Sequence, residues 1–102
     1  MKAKRDGRKR VTARARQGLY RALLTLRTED ECERFLNDLC TPAELEALAD
    51  RWAVVKYLED GLPYRKIHEI TGVSVTTIAR VARFLTSGNG GYRVALERLK
   101  PL

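Results

Sequence analysis

The chain has 102 residues, of which 44% are apolar, and it carries a formal net charge of +7 with 20 Lys or Arg against 13 Asp or Glu. This length allows one small domain with one core, and no apolar run approaches the ~18 residues needed to cross a bilayer. The basic start of the chain lacks the apolar stretch of a secretory signal, so we expect the protein to stay in the cytoplasm.

The charge is divided unevenly along the chain. Residues 1–17 hold eight Lys or Arg and one Asp, a net charge of +7, and the rest of the chain sums to zero. Within the rest, residues 28–60 carry −7 and residues 61–95 carry +4. Two basic regions separated by an acidic one suit contact with a polyanion. We predict a basic flexible arm over residues 1–17, which could also be only a solvated extension, and a helical domain over residues 18–100.

Two helices are predicted after the basic arm, and strand signals are nearly absent. Leu19 and Leu23 belong to a wide apolar face, and a second apolar face follows that includes Phe35. Thr28 precedes the second of these helices and is followed three residues later by Glu31, which is the pattern of a capping box.

A third, longer helix is predicted from Thr41 onwards. Thr41 and Glu44 repeat the capping-box spacing, and Pro42 stands at the favoured first helical position. Gly61 is suited to end the helix. Apolar residues keep a 3.6-residue period along it at Leu45, Leu48, Ala49, Trp52, Val55 and Leu58.

A helix-turn-helix is predicted at about residues 63–85. A short helix begins near Pro63 with Ile67 and Ile70 directed inward, Gly72 is suited to end it, and Ser74 is suited to cap the next helix. The angle between the two helices is expected to be fixed by the apolar residues Ile67, Val73, Ile78 and Val81. A turn-rich break over residues 87–92 then precedes a last helix that ends before Pro101, so the fold is predicted to be all-α with six helices.

The second helix of this pair is predicted to display a polar face to a partner. Small residues let a helix approach base edges, Thr offers a methyl and a hydroxyl group, and Arg reaches phosphates or guanine. An ordinary helical hairpin whose polar side meets water would show a similar pattern. The candidate DNA-binding residues are Arg65, Lys66, Ser74, Val75, Thr76, Thr77, Arg80 and Arg83.

The stretches LCTPAELEALADRWAVVKYLEDG, YRKIHEITGVSVTTIARVARFL and GNGGY resemble the Trp repressor superfamily, and most closely its YerC/YecD-type branch. The resemblance covers about residues 19–99. It implies a six-helix Trp repressor-like fold, an intertwined homodimer with two reading heads, and a transcriptional regulator, most simply a repressor. The apolar faces of the predicted helices independently exceed what so short a chain can cover, which also favours a dimer over a compact monomer.

The same resemblance implies a possible effector pocket. In the tryptophan-sensing members two arginines sandwich the indole, and Arg51 and Arg80 match their positions, as Thr41 matches a nearby pocket residue. Val81 stands where those members have glycine, and Phe84 where they have a small serine. We therefore expect tryptophan not to be the ligand, with Arg51 paired to nearby acids such as Asp50 and Arg80 facing DNA.

Enzyme, metal and cofactor sites are not predicted. His68 is the single histidine, and no nucleophile and base stand at a suggestive spacing. It occupies a place in the first helix of the motif where a small residue is usual, and it could loosen or tilt the junction. Cys32 and Cys40 are expected to be reduced packing residues, because they lack metal-ligand spacing.

Two functions from different classes remain. The first is a sequence-specific dimeric DNA-binding regulator. The alternative is a helical dimeric protein-interaction module whose basic arm binds nonspecifically or only aids solubility.

Overall fold

The computed structural model of the chain describes the backbone of residues 2–99 and the side chains of residues 7–99. Over this range it consists of six α-helices and no strand, as the sequence predicts, while Pro101 lies outside the described residues. The chain divides into two compact units, Met1–Cys40 and Thr41–Leu102. Within the described part, no helix combines the length and the apolar character needed to cross a membrane.

The first unit contains helices α1 (Lys2–Thr25) and α2 (Glu29–Leu39). The Thr28 hydroxyl caps α2 by accepting a hydrogen bond from the Glu31 N–H at 3.0 Å. The predicted capping box is only half formed, because the Glu31 carboxylate accepts from the Arg27 N–H at 2.8 Å. The carboxylate thus binds the chain one residue before the cap, at the positive end of the helix dipole.

The basic N-terminal segment is helical, which differs from the flexible arm predicted for residues 1–17. Helix α1 runs without a break from Lys2 to Thr25, so its backbone does not mark a boundary at residue 17. We predicted a flexible arm because residues 1–17 lack the apolar period of an amphipathic helix. Ala, Arg and Lys nevertheless have high intrinsic helix propensity, and no proline interrupts the segment. The structure therefore has a helix from Lys2 where we predicted a flexible arm, whereas a separate role for residues 1–17 stays a prediction.

The second unit contains α3 (Pro42–Glu59), α4 (Tyr64–Thr71), α5 (Val75–Ser87) and α6 (Gly91–Leu99). The capping box of α3 is complete, because the Thr41 hydroxyl accepts from the Glu44 N–H and the Glu44 carboxylate accepts from the Thr41 N–H. Gly61 follows the helix with a φ of +80°, a conformation that glycine adopts without steric strain. These local signals confirm the predicted start and end of α3.

The core of the second unit joins α3, α4 and α5. Burying each of its aliphatic side chains stabilises the fold by about 1.5–3 kcal/mol. All four apolar residues that were predicted to set the angle of the helix-turn-helix are buried in this core. Its buried members are Val54, Val55, Ile67, Val73, Ile78 and Val81.

Several apolar residues that the period placed inward are exposed within a single chain. The exposed fractions are 47% for Ile70, 46% for Leu48 and 38% for Trp52. Val55, a member of the predicted period, is fully buried, and so is Val54, which the period did not include. Apolar residues lie on more than one side of α3, and the second unit covers only one of those sides.

Contacts between α6 and α3 include an ion pair and a contact between two aromatic rings. The Arg93 guanidinium donates to both carboxylate oxygens of Glu59 at 2.6 and 2.7 Å. The rings of Trp52 and Tyr92 lie 6.2 Å apart between centroids, with an interplanar angle of 37°. These contacts hold α6 beside the middle and the end of α3.

Candidate nucleic-acid interface

The turn between α4 and α5 spans three residues, 72–74. Gly72 has a φ of +74°, and its N–H donates to the His68 carbonyl at 2.8 Å, which ends α4. The Ser74 hydroxyl then accepts from the Thr77 N–H at 3.2 Å, which begins α5. The sequence predicted both the glycine end and the serine cap, and the structure confirms them.

The outward face of α5 carries small and basic side chains. Thr76, Ala79, Arg80 and Arg83 are exposed and follow one another at spacings of three, one and three residues, so they share one side of the helix. Ile78, Val81 and Leu85 lie on the other side, against the core. The face combines short side chains, which permit close approach, with guanidinium groups.

Thr77 lies at the edge of this face and is half-buried. The Ser74 hydroxyl, besides capping the helix, donates to Thr77 Oγ1 at 3.0 Å. This bond uses a lone pair of Thr77 Oγ1, so the Thr77 hydroxyl proton remains available for an external acceptor. The cap therefore orients one of the predicted base-reading side chains.

The other predicted contact residues are also accessible. Arg65 and Lys66 are exposed in the first turn of α4, and Val75 is exposed at the start of α5. Val75 offers an apolar surface of the kind that contacts a thymine methyl group. All eight candidate DNA-binding residues thus belong to α4, the turn or α5.

Both arginines of α5 place their guanidinium groups near the ring of Phe84. The guanidinium carbon of Arg80 lies 4.8 Å from the ring centroid, and that of Arg83 lies 5.9 Å from it. A cation over an aromatic face is attracted by the ring quadrupole. Sequence analysis missed this arrangement, although the spacing of four residues between Arg80 and Phe84 is the signal that could have revealed it.

An open cavity of about 320 Å³ lies beside this stack. Arg51 and Arg80, the two arginines of the predicted effector pocket, both line it, whereas the Thr41 hydroxyl is occupied as the cap of α3. Val81, which stands where the tryptophan-sensing members have glycine, is 1% exposed in the core and does not line the cavity. The complete lining is Arg51, Arg80, Phe84, Asn89, Gly91 and Tyr92.

One further expectation, the pairing of Arg51 with nearby acids, needs correction. Arg51 forms no ion pair with Asp50 or Glu44 in the described part of the chain. Asp50 precedes Arg51 directly and so points away from it, and the Glu44 carboxylate binds the Thr41 N–H. His68, which could loosen or tilt the junction, hydrogen-bonds the turn, because its Nδ1 lies 2.7 Å from the Val73 carbonyl oxygen.

The remaining reactive side chains are dispersed. Cys32 and Cys40 are half-buried and free. Among residues whose side chains the structure describes, no three His, Cys, Asp or Glu come together as a metal site would require.

Comparisons with known proteins agree on one family. The Trp repressor protein family matches residues 15–100. YerC of Bacillus subtilis strain 168, itself uncharacterised, is 45% identical over 82 residues, which cover 80% of this chain and 79% of YerC.

Two solved structures are similar over most of their length. A TrpR-like protein from Eubacterium eligens ATCC 27750 superposes with a TM-score of 0.80 at 42% identity, covering 84% of this chain and 89% of that one. A candidate Trp repressor from Staphylococcus aureus gives a TM-score of 0.79 at 40% identity, covering 83% and 85% respectively. By sequence and by fold, the chain belongs to the Trp repressor family.

Proposed function

We propose that the chain is a sequence-specific DNA-binding regulator of transcription that acts in the cytoplasm as a homodimer. The observation that carries the proposal is the exposed Thr76, Ala79, Arg80 and Arg83 face of α5, on a helix that the core holds firmly. A helix of this size fits a major groove, and small residues on its face allow the backbone to approach base edges. Membership of the Trp repressor family supports the same function.

Base reading and phosphate binding are assigned to different residues. Val75, Thr76 and Thr77 stand in the first turn of α5, the part of a recognition helix that contacts bases. Phosphate contacts are assigned to Arg65 and Lys66 in the first turn of α4 and to Arg83, all of which are exposed. Arg80 combines an exposed guanidinium with the Phe84 stack, which limits its freedom before DNA is bound.

A second copy of the chain is proposed to cover the exposed apolar surface of the second unit. A cavity of about 700 Å³ lies between α3, α4 and α6, and Trp52, Ile70 and Leu99 on its wall are 38%, 47% and 68% exposed. Exposed large apolar side chains that gather on one side of a chain can be covered by a partner. A two-fold dimer would also place two α5 helices in successive major grooves, about one helical turn or ~34 Å apart.

No catalytic activity is part of the proposal, and tryptophan is not proposed as the effector. The Arg80 guanidinium already stacks on the Phe84 ring, so an aromatic ligand would have to displace a ring of the protein. The cavity beside it leaves room for an effector of another kind.

The alternative function is a dimeric module that binds another protein through the apolar cavity between α3, α4 and α6. Its apolar wall is the observation that favours this alternative. Salt dependence separates the two functions. Neutralising roughly six to ten phosphates makes affinity fall by about 10³–10⁵ between 50 and 200 mM salt, whereas an apolar protein contact hardly responds.

The proposal is tested by measuring affinity for duplex DNA across that salt range together with sedimentation at micromolar protein. We expect a steep salt slope and a dimer that binds one duplex. A sedimenting monomer, or DNA binding that salt leaves unchanged, would contradict the proposal.

A further inference from the structure

Val73, the buried residue of the helix-turn-helix turn, has both of its backbone polar groups bound by side chains of α4. Its N–H donates to Thr71 Oγ1 at 3.1 Å, and its carbonyl oxygen lies 2.7 Å from His68 Nδ1. Thr71 Oγ1 itself donates to the Ile67 carbonyl at 2.7 Å. Since Val73 is only 6% exposed, these side chains supply hydrogen bonds that water could not readily provide.

The contact with Val73 determines which ring nitrogen of His68 carries the proton in the neutral imidazole. A carbonyl oxygen can only accept, so Nδ1 of His68 must carry the proton that it donates. In the neutral imidazole this leaves Nε2 without a proton. The arrangement therefore specifies a tautomer that can be observed directly.

The Val73 carbonyl is a sensitive point for the orientation of α5. The next residue, Ser74, is the N-cap of α5, and its hydroxyl binds both the N–H and the hydroxyl of Thr77. A rotation of the Val73–Ser74 peptide would therefore move the cap, and with it the first turn of α5. The Val73 side chain belongs to the buried core, and its backbone N–H and carbonyl are held in addition by the hydrogen bonds of the turn.

We propose that His68 is a positioning residue for DNA recognition. By donating to the Val73 carbonyl it holds the peptide that precedes the cap, and this sets where Thr76 and Thr77 meet the bases. The inference rests on the proposed DNA-binding function, which it extends to a residue that does not itself belong to the reading face.

The variants His68→Asn, His68→Gln and His68→Leu test this role. An asparagine amide nitrogen stands near the place of Nδ1, a glutamine amide nitrogen stands nearer the place of Nε2, and leucine has no donor. We expect His68→Leu and His68→Gln to weaken binding to the preferred duplex about tenfold, the loss typical of one good base contact, with less than a threefold change on random duplex. His68→Asn should stay within about threefold of the wild type on both.

Each outcome of the affinity comparison decides the role. Equal losses on preferred and random duplex, or an asparagine variant as weak as the leucine variant, would overturn the positioning role. Thermal unfolding of each variant is measured in parallel, because a residue that only stabilises the fold would change the unfolding temperature without changing the ratio of the two affinities.

Nuclear magnetic resonance of the free protein separates this inference from the proposed function. We expect the neutral His68 to carry its proton on Nδ1, and the amide resonances of residues 74–77 to shift in His68→Leu and return in His68→Asn. A proton on Nε2, or resonances of residues 74–77 unmoved by His68→Leu, would overturn the inference whether or not DNA binds. If these signals appear as expected and the wild type binds no preferred duplex, the DNA-binding proposal fails, whereas the control of the first turn of α5 by His68 stands.

Discussion

The guanidinium carbon of Arg80 lies 4.8 Å from the centroid of the Phe84 ring, one helical turn further along α5. The chain thus provides, from its own sequence, an aromatic partner for an arginine that lines an open cavity together with Arg51. We infer that this stack within α5 holds the Arg80 guanidinium in place without an aromatic ligand. Operator affinity should then be the same with and without millimolar L-tryptophan.

Isothermal titration and DNA-binding measurements check this independence from tryptophan. Micromolar tryptophan binding, or a tenfold or greater gain in operator affinity on adding it, would contradict the account. The matched variants are Phe84→Leu, which removes the ring while keeping an apolar side chain, and Phe84→Tyr, which retains it. Phe84→Leu should lower operator affinity a few-fold through loss of a cation–π contact of about 0.5–1 kcal/mol, and Phe84→Tyr should not.

The base-reading and phosphate-binding residues should respond differently to substitution. Thr76→Ala and Thr77→Ala are each expected to cost about 1–3 kcal/mol on the preferred site and little on random DNA. Arg65→Ala should weaken both duplexes to a similar degree, because phosphates carry no sequence information. Fluorescence anisotropy at fixed salt measures the affinity of each variant for the preferred and for the random duplex.

Thr76 provides the cleaner of the two threonine tests. It is exposed opposite the core, whereas Thr77 is half-buried and bonded to the helix cap, so unfolding curves should accompany Thr77→Ala. Losses of the same size on both duplexes for all three variants would refute the division of roles.

Removal of residues 2–16 should lower affinity without altering the preferred sequence. Arg8, Lys9, Arg10, Arg14 and Arg16 are exposed and occupy all sides of α1, so they can follow phosphates but present no single reading face. The expected result is a shallower dependence of log affinity on log salt. A changed sequence preference in the shortened chain would show that this segment reads bases.

Glu44 should make the protein more sensitive to acid. The Thr41 backbone N–H, and secondarily its hydroxyl, hydrogen-bond the carboxylate and hold the pKa of Glu44 below its usual value. A carboxyl whose pKa is lower in the folded state contributes stability above its unfolded pKa, about 4.3, and loses that contribution as pH falls through the folded pKa. Glutamine at this position can keep the capping bond without titrating.

The difference in unfolding temperature between wild type and Glu44→Gln, followed from pH 6 to pH 3, measures this effect. We expect the unfolding temperature of the wild type to approach that of Glu44→Gln, or to fall below it, at the acidic end of the range. Parallel curves over the whole range would show that the capping carboxylate contributes nothing to acid sensitivity.

Local signals predicted most of the helix boundaries. Gly72, Ser74 and the Thr41–Glu44 pair act through bonds between near neighbours, so their residue types determined the outcome. Periodicity was less reliable for burial, because Leu48, Trp52 and Ile70 are apolar on faces that one copy of the chain leaves uncovered. The helix in residues 2–16 was missed because backbone propensity, without any apolar face, was enough to favour it.

The candidate DNA-binding site shows the same contrast between features that follow from local sequence and features that do not. The exposed threonines and arginines of α5 could be recognised from spacing alone, since their positions depend on one regular helix. His68 could not, because its partner is a carbonyl in an irregular turn whose direction the sequence does not state. The half-formed capping box at Thr28 likewise depended on which N–H the Glu31 carboxylate reached.

The most direct test of the central claim is selection of bound sequences from a pool of random duplex DNA by the full chain. The account predicts enrichment of a palindrome whose half-sites are centred about one helical turn, 10 to 10.5 base pairs, apart. Thr76→Ala should relax the preference at defined positions in each half-site. Recovery of no enriched sequence, or of a single site without two-fold symmetry, would contradict a dimeric protein that reads DNA through α5.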